Sequence, residues 1–173
     1  YGWDKPGDHT LRLTLLHTPR TADKNPEQAE LDVGRTHRLR YAVAGHPGDW
    51  RDGGTVALGQ RFNQPLRAVI VASHDGPLGR RFGFLETNSD QFSVMALKKA
   101  ERADEIVLRV RERRGEALLG ARVRFAAEVL SAVEVNGQEL SVGEVSFAGN
   151  AIHFDLSAFQ PKAFAIRLKP YRS

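Results

Sequence analysis

Apolar side chains recur at every second position along much of this chain, and that period restricts it to a β-rich fold. Leu11, Leu13 and Leu15 alternate with their neighbours, as do Leu39, Tyr41 and Val43, then Phe92, Val94 and Ala96, and finally Phe164, Ile166 and Leu168. Successive side chains of a strand point to opposite faces, so this spacing gives each segment one apolar face. No segment sustains a helical period. Lys98–Glu105 comes nearest, but it is short, charged and flanked by strand-like runs, and it reads equally as a turn or a strand end.

Turn chemistry sharpens the reading. Asn136-Gly137 separates Ala132-Val133-Glu134-Val135 from Glu139-Leu140-Ser141-Val142. Asn and Gly readily take the positive φ angles of a tight hairpin turn, so a hairpin is expected here. Gly149-Asn150 divides Val145–Phe147 from Ile152–Phe154 in the same way, and further strands are expected over Ile106–Val110 and Val123–Phe125. Short strands at such regular intervals predict a sandwich.

Upstream, Thr18–Gly34 is rich in turn formers and nearly free of apolar residues, which predicts a long exposed connection. A second turn-rich stretch, Gly45–Gly54, leads to Pro65 and a buried-looking strand over Leu66–Ala72. Asp75, Gly76, Pro77 and Gly79 then crowd into Ser73–Gly79, a composition suited to a crossing between domains. Two parts are therefore expected, residues 1–75 and 80–173.

Composition excludes several functions. The 173 residues are 41% hydrophobic and 27% charged, an ordinary balance for a soluble globular domain. There is no cysteine, so disulfides, thiolate zinc sites and a cysteine nucleophile are ruled out, while the compartment stays open. The run Ala68-Val69-Ile70-Val71-Ala72 is far short of the roughly 20 residues that span a bilayer, so no membrane partner is expected. The first residue is Tyr1, with no basic stretch before an apolar segment, and the start is expected to be a cut in a longer chain.

Few residues advertise chemistry. The six histidines lack a HExxH pair or any compact ligand spacing, and no metal site is expected in this chain. Asp4, Asp8, Asp49 and Asp52 lie among turn formers, where carboxylates ordinarily bond local backbone. Glycoside hydrolysis would need two carboxyl groups roughly 5 to 10 Å apart across a sugar. Arg109, Arg111 and Arg113 share one strand face with Glu112 on the other, and without interleaved aromatics this is a solvated sheet face, so nucleic acid is not expected. Trp3 and Trp50 lie in polar, glycine-containing segments and are suited either to stacking on sugars or to capping a sandwich.

The order of several short motifs carries more. Tyr1-Gly2-Trp3-Asp4, Leu11-Arg12-Leu13-Thr14-Leu15-Leu16, Asp32-Val33-Gly34-Arg35-Thr36-His37, Gly48-Asp49-Trp50 and Phe62-Asn63-Gln64-Pro65-Leu66 follow one another. That succession resembles glycoside hydrolase family 38, whose members carry a YGYD-like start, LRLSLLRAP, DxGxHxFxYAL and LNxPL. Val94–Glu101 followed by Ile106–Glu112 is likewise similar to the family's VKKAE and LILRLYE patterns. The chain departs from the family at His17-Thr18-Pro19, where RAP is usual, and at Arg111, where the family has tyrosine.

The resemblance implies the C-terminal β-region of a retaining α-mannosidase whose catalytic carboxylates and zinc lie in domains outside this chain. Residues 1–75 would end a large β-supersandwich, galactose-mutarotase-like, and residues 80–173 would form a small terminal β-sandwich. No catalytic residue is expected in this chain, and Tyr1, Trp3 and Asp4 are candidates for the rim of the substrate site. The implied partners are the remainder of the α-mannosidase chain and, through it, mannose-containing glycans. A free-standing carbohydrate-binding module, or a subunit-contact module that self-associates through unpaired sheet edges, is the competing expectation.

Overall fold

The computed structural model describes residues 2–17, 34 and 36–170. The chain divides into two compact units, Tyr1–Gly45 and His46–Ser173. The crossing expected at Ser73–Gly79 falls inside the second unit, within residues 65–84, which form neither helix nor strand.

In the first unit, β1 (Trp3–Gly7) and β2 (Thr10–Leu13) form an antiparallel hairpin in which Trp3 faces Leu13 and Asp4 faces Arg12. The Thr14 amide donates to the Gly2 carbonyl at 2.9 Å and extends the pairing by one bond. The exposed connection expected from Thr18 lies outside the described residues except at Gly34.

The second unit opens with a helix, α1 (Thr55–Asn63), and continues with nine strands: β3 (Leu85–Thr87), β4 (Phe92–Lys99), β5 (Ile106–Glu112), β6 (Leu118–Phe125), β7 (Val129–Val135), β8 (Ser141–Glu144), β9 (Ser146–Ala148), β10 (Ala151–Leu156) and β11 (Pro161–Leu168). Every pairing is antiparallel. One sheet runs β3-β6-β10-β9 and the other β4-β5-β11-β7-β8. Phe92, Leu108, Val110, Val123, Phe125, Ile152, Phe154, Phe164 and Ile166 belong to one buried cluster drawn from both sheets. This is the all-β sandwich expected.

Alternation explains which side chains enter that core. On β6, Ala121, Val123 and Phe125 are buried while Arg122 and Arg124 are exposed. On β10, Ile152, Phe154 and Leu156 are buried while His153 and Asp155 face water. β11 differs, for Ala163, Phe164, Ala165 and Ile166 are buried in succession. It is the central strand, paired with β5 on one side and β7 on the other, and both of its faces are covered. Its second face supplies Ala163 and Ala165 to a smaller apolar cluster with Val135.

The expected hairpins are present: β7 and β8 flank Asn136-Gly137, and β9 and β10 flank Gly149-Asn150, although in the first turn the positive φ falls on Glu139 rather than on Asn136 or Gly137. The Asn136 side-chain oxygen accepts from the Gln138 and Leu140 amides at 2.9 and 3.0 Å, which closes the first turn from within. Lys98–Glu105 resolves into the last two residues of β4 and a turn that the Ala100 amide closes on the Glu105 carbonyl.

Three expectations fail. Leu39–Val43 and Leu66–Ala72 form no strand, and their large apolar side chains are exposed. Period-two spacing becomes a strand only where a neighbouring backbone supplies the hydrogen-bonding row, and neither segment joins a sheet among the described residues. The third is α1, which the sequence conceals because it is short, contains β-branched Thr55 and Val56 together with Gly59, and has no side-chain N-cap. Helices of this length depend on tertiary contacts rather than on propensity.

Candidate functional site

The rim candidates do not converge on a cavity. Trp3 is 64% exposed on β1. Beside it, Asp4 takes both arms of the Arg12 guanidinium, Nε to Oδ1 at 2.7 Å and Nη2 to Oδ2, across the β1–β2 ladder. That guanidinium holds the Asp4 carboxyl below its ordinary pKa. Tyr1 lies outside the described residues.

The second unit holds a better-built concavity. The Asp49–Gly54 loop and α1 lie beside the β4 edge of the five-stranded sheet, and between helix and strand runs a cleft of about 590 Å3. Its polar wall comes from Gln60 and Asn63 on the helix, Ser93 on β4, Asp90 in the preceding turn and Arg113 just after β5, with Met95 as its exposed apolar side chain; Phe92 and Val94 border it from β4 but pack into the sandwich core. A chamber of about 250 Å3 adjoins it, sharing Gln60, Ser93, Met95 and Arg113 and closed by Trp50, Val56 and Phe159.

Side-chain hydrogen bonds join the two walls. Ser93 Oγ donates to Gln60 Oε1 at 3.2 Å, linking strand to helix. Arg113 Nε donates to the Asp90 carbonyl at 2.5 Å, and its Nη2 lies 3.7 Å from the Asp90 carboxylate. Each donor and acceptor is thus fixed in direction before any ligand arrives.

A buried carboxylate borders the adjoining chamber. Glu112, the last residue of β5, is 0% exposed. Its Oε1 accepts from the Arg114 amide at 2.6 Å, and its Oε2 accepts from the Gly115 and Phe159 amides at 2.8 and 2.7 Å. Burial by itself would push the Glu112 pKa up. The backbone donors of Phe159, Arg114 and Gly115, with the Gln91 side chain, outweigh it and leave the carboxyl below its ordinary value. One carboxylate thus ties the 113–115 turn to the 158–159 turn, and Phe159 carries the tie onward.

Phe159 stacks on Trp50 with ring centroids 6.2 Å apart. The Arg51 guanidinium lies 4.3 Å from the Trp50 ring centroid, and its Nε donates to the Arg114 carbonyl at 2.6 Å. Asp49 anchors the same arginine at 2.7 Å, and the Trp50 carbonyl accepts from both the amide and the hydroxyl of Thr55, the first residue of α1. Of the two sequence readings of Trp50, the structure shows packing. Gly115 is required at this junction, since its φ is +76° and a Cβ there would lie 2.5 Å from the Phe159 ring.

Alternation correctly separates Glu112 from Arg109 and Arg111, but the glutamate is interred rather than solvated. One of its three backbone donors comes from Phe159, 47 residues away. Gln60, Ser93 and Arg113 carry no sequence signal for the cleft, since only the fold brings them together. Among the described residues no three His, Asp or Glu side chains converge on a metal position. No helix of the described residues is long and apolar enough to cross a membrane.

Comparison with known proteins bears on the sandwich directly. Residues 91–172 match the glycosyl hydrolases family 38 C-terminal beta sandwich domain. Along 98% of its length the chain also aligns with Alpha-mannosidase 2C1 of Mus musculus, at 25% identity over 174 residues. The chain spans 16% of that relative. The matched residues hold eight of the nine strands of the second unit and both of its long central strands, β5 and β11. Over residues 91–172 the sandwich is thus similar to the C-terminal beta sandwich domain of glycosyl hydrolases family 38.

Proposed function

We propose that this chain is a scaffold region of an α-mannosidase and that it does not itself hydrolyse the glycosidic bond. The observation that carries the reading is the family 38 sandwich over residues 91–172, in a chain that aligns almost end to end with part of a mouse protein named as an α-mannosidase. In a retaining glycosidase one carboxylate attacks the anomeric carbon while a second carboxyl group protonates the departing oxygen, with the two about 5 to 5.5 Å apart. Zinc would contribute by positioning mannose hydroxyls in the parent. Both tasks fall to residues outside this chain.

Scaffold work suits what the chain displays. Leu39, Val43, Leu66 and Ile70 are exposed at strand-like spacing. In the parent they pair with and lie beneath the remainder of the mannosidase, which is their proposed occupant. Trp3 and Asp4, with Tyr1, are proposed at the substrate rim, where an exposed aromatic beside an oriented carboxylate suits contact with a glycan.

Hydrolysis of 4-nitrophenyl α-D-mannopyranoside tests the reading. The expected result is turnover by the complete parent protein with zinc and none above background by the 173-residue chain. Turnover by this chain alone, or none by the parent, overturns it. Within the parent, Trp3→Ala is expected to raise KM for an extended mannoside with little change in kcat, and an unchanged KM removes the rim assignment.

A further inference from the structure

We propose that the cleft between α1 and β4 is a saccharide-binding site that takes one hexopyranose unit. The inference comes from the lining and stands whether or not the parent hydrolyses mannosides. At about 590 Å3, with the adjoining chamber of about 250 Å3, the space falls in the range of roughly 300–1,000 Å3 usual for small-ligand sites.

The lining selects the ligand class. An anion would meet the Asp90 carboxylate and a cation the Arg113 guanidinium, and these two already lie opposite one another. Asn63 already donates to the Gly59 carbonyl at 2.9 Å and Gln60 accepts from Ser93 at 3.2 Å, so a wholly apolar ligand would cover their remaining hydrogen-bonding capacity without replacing its water. A neutral polyol meets that remaining capacity. Each hydroxyl both donates and accepts, as do Gln60, Asn63 and Ser93, while Asp90 accepts only and Arg113 donates only.

A sugar also has C–H faces, and these need apolar contact. Met95, 53% exposed, provides it in the cleft. Val56, Phe159 and the edge of Trp50 provide it in the side chamber. Trp50 is already stacked on Phe159 and lies under Arg51, so its role here is edge contact with a hydroxymethyl arm rather than ring stacking. The tie through Glu112 holds the Trp50–Phe159 wall in place without ligand, which lowers the ordering cost of binding.

Methyl α-D-mannopyranoside titrated into the 15N-labelled full chain is the test, with methyl glucoside, methyl galactoside and inorganic phosphate as parallel arms. Saturable shifts are expected at Gln60, Asn63, Ser93 and the Trp50 indole for at least one glycoside, with half-saturation at about 1–10 mM, the range an open site reaches with a small ligand. Gln60→Ala and Ser93→Ala should each weaken binding by about tenfold or more, while Arg122→Ala on the opposite sheet should leave it intact. Absence of saturation by about 50 mM of every glycoside overturns the site. So do shifts that map to Trp3 instead, equal binding by the Gln60→Ala and Ser93→Ala variants, or binding of phosphate alone.

Discussion

Ile70 and Phe164 sit in segments that look alike on paper and end in opposite states. Ala68–Ala72 is a run of small and β-branched residues with every attribute of a buried strand, yet Ile70 is 100% exposed. Ala163–Ile166 is no more apolar, and Phe164 and Ile166 are both 0% exposed. The difference lies outside the segments. β11 finds β5 and β7 waiting on its two sides, whereas Leu66–Ala72 joins neither sheet. Hydrophobicity supplies the incentive to bury, and a free hydrogen-bonding row decides whether a strand can act on it.

The largest effect that would sharpen this contrast is truncation in the core. Phe164→Ala removes a ring that packs 4.7 Å from Phe154 and should cost about 3–5 kcal/mol in urea unfolding. A loss below about 1 kcal/mol would mean that β11 does not hold the sandwich together.

Glu112→Ala comes next, since it strands three buried backbone donors; a loss of about 2–4 kcal/mol is expected. Glu112 also predicts a pH dependence. Its folded pKa is depressed, so its stabilisation is complete above the ordinary carboxylate pKa and disappears as pH falls through the lower folded value. The stability of the wild-type chain should therefore decline on acidification more steeply than that of Glu112→Gln. Parallel slopes would show the carboxylate to be an idle passenger.

Gly115→Ala is smaller, about 1–2 kcal/mol, from a positive φ and a Cβ directed at the Phe159 ring. It should also alter the Trp50 fluorescence spectrum, and an unaltered spectrum would separate the turn from the aromatic stack. Smallest of all is Ile70→Ser, within about 0.5 kcal/mol of wild type. Its effect should instead be on self-association. Light scattering of the isolated chain at high concentration should show less of it in the serine variant, and a strictly monomeric wild type would break the proposal that these strips await a partner.

Where the sequence was legible, local chemistry was sufficient. Asn136 closes its own turn through its side chain, and the alternation on β6 and β10 matches their buried faces. Both resolve within a few residues, so reading along the chain finds them. The cleft required more. Gln60 meets Ser93 across 33 positions, Arg51 meets Arg114 across 63, and Glu112 reaches Phe159 across 47. α1 owes its existence to those meetings, which is why its own composition does not announce it. Motif order identified the family from pieces that are individually ordinary. It could not indicate that Trp50 is committed to Phe159, because that depends on a turn near the far end of the sandwich.

The central place of β11 has a consequence for how the protein is made. Without residues 161–168, the five-stranded sheet separates into two ribbons, β4-β5 and β7-β8. A ribosome delivering this chain at about 5–20 residues per second has already made about nine-tenths of the second unit when those residues appear. The β4-β5 and β7-β8 ribbons share no backbone ladder except through β11, so closing the five-stranded sheet waits on residues 161–168.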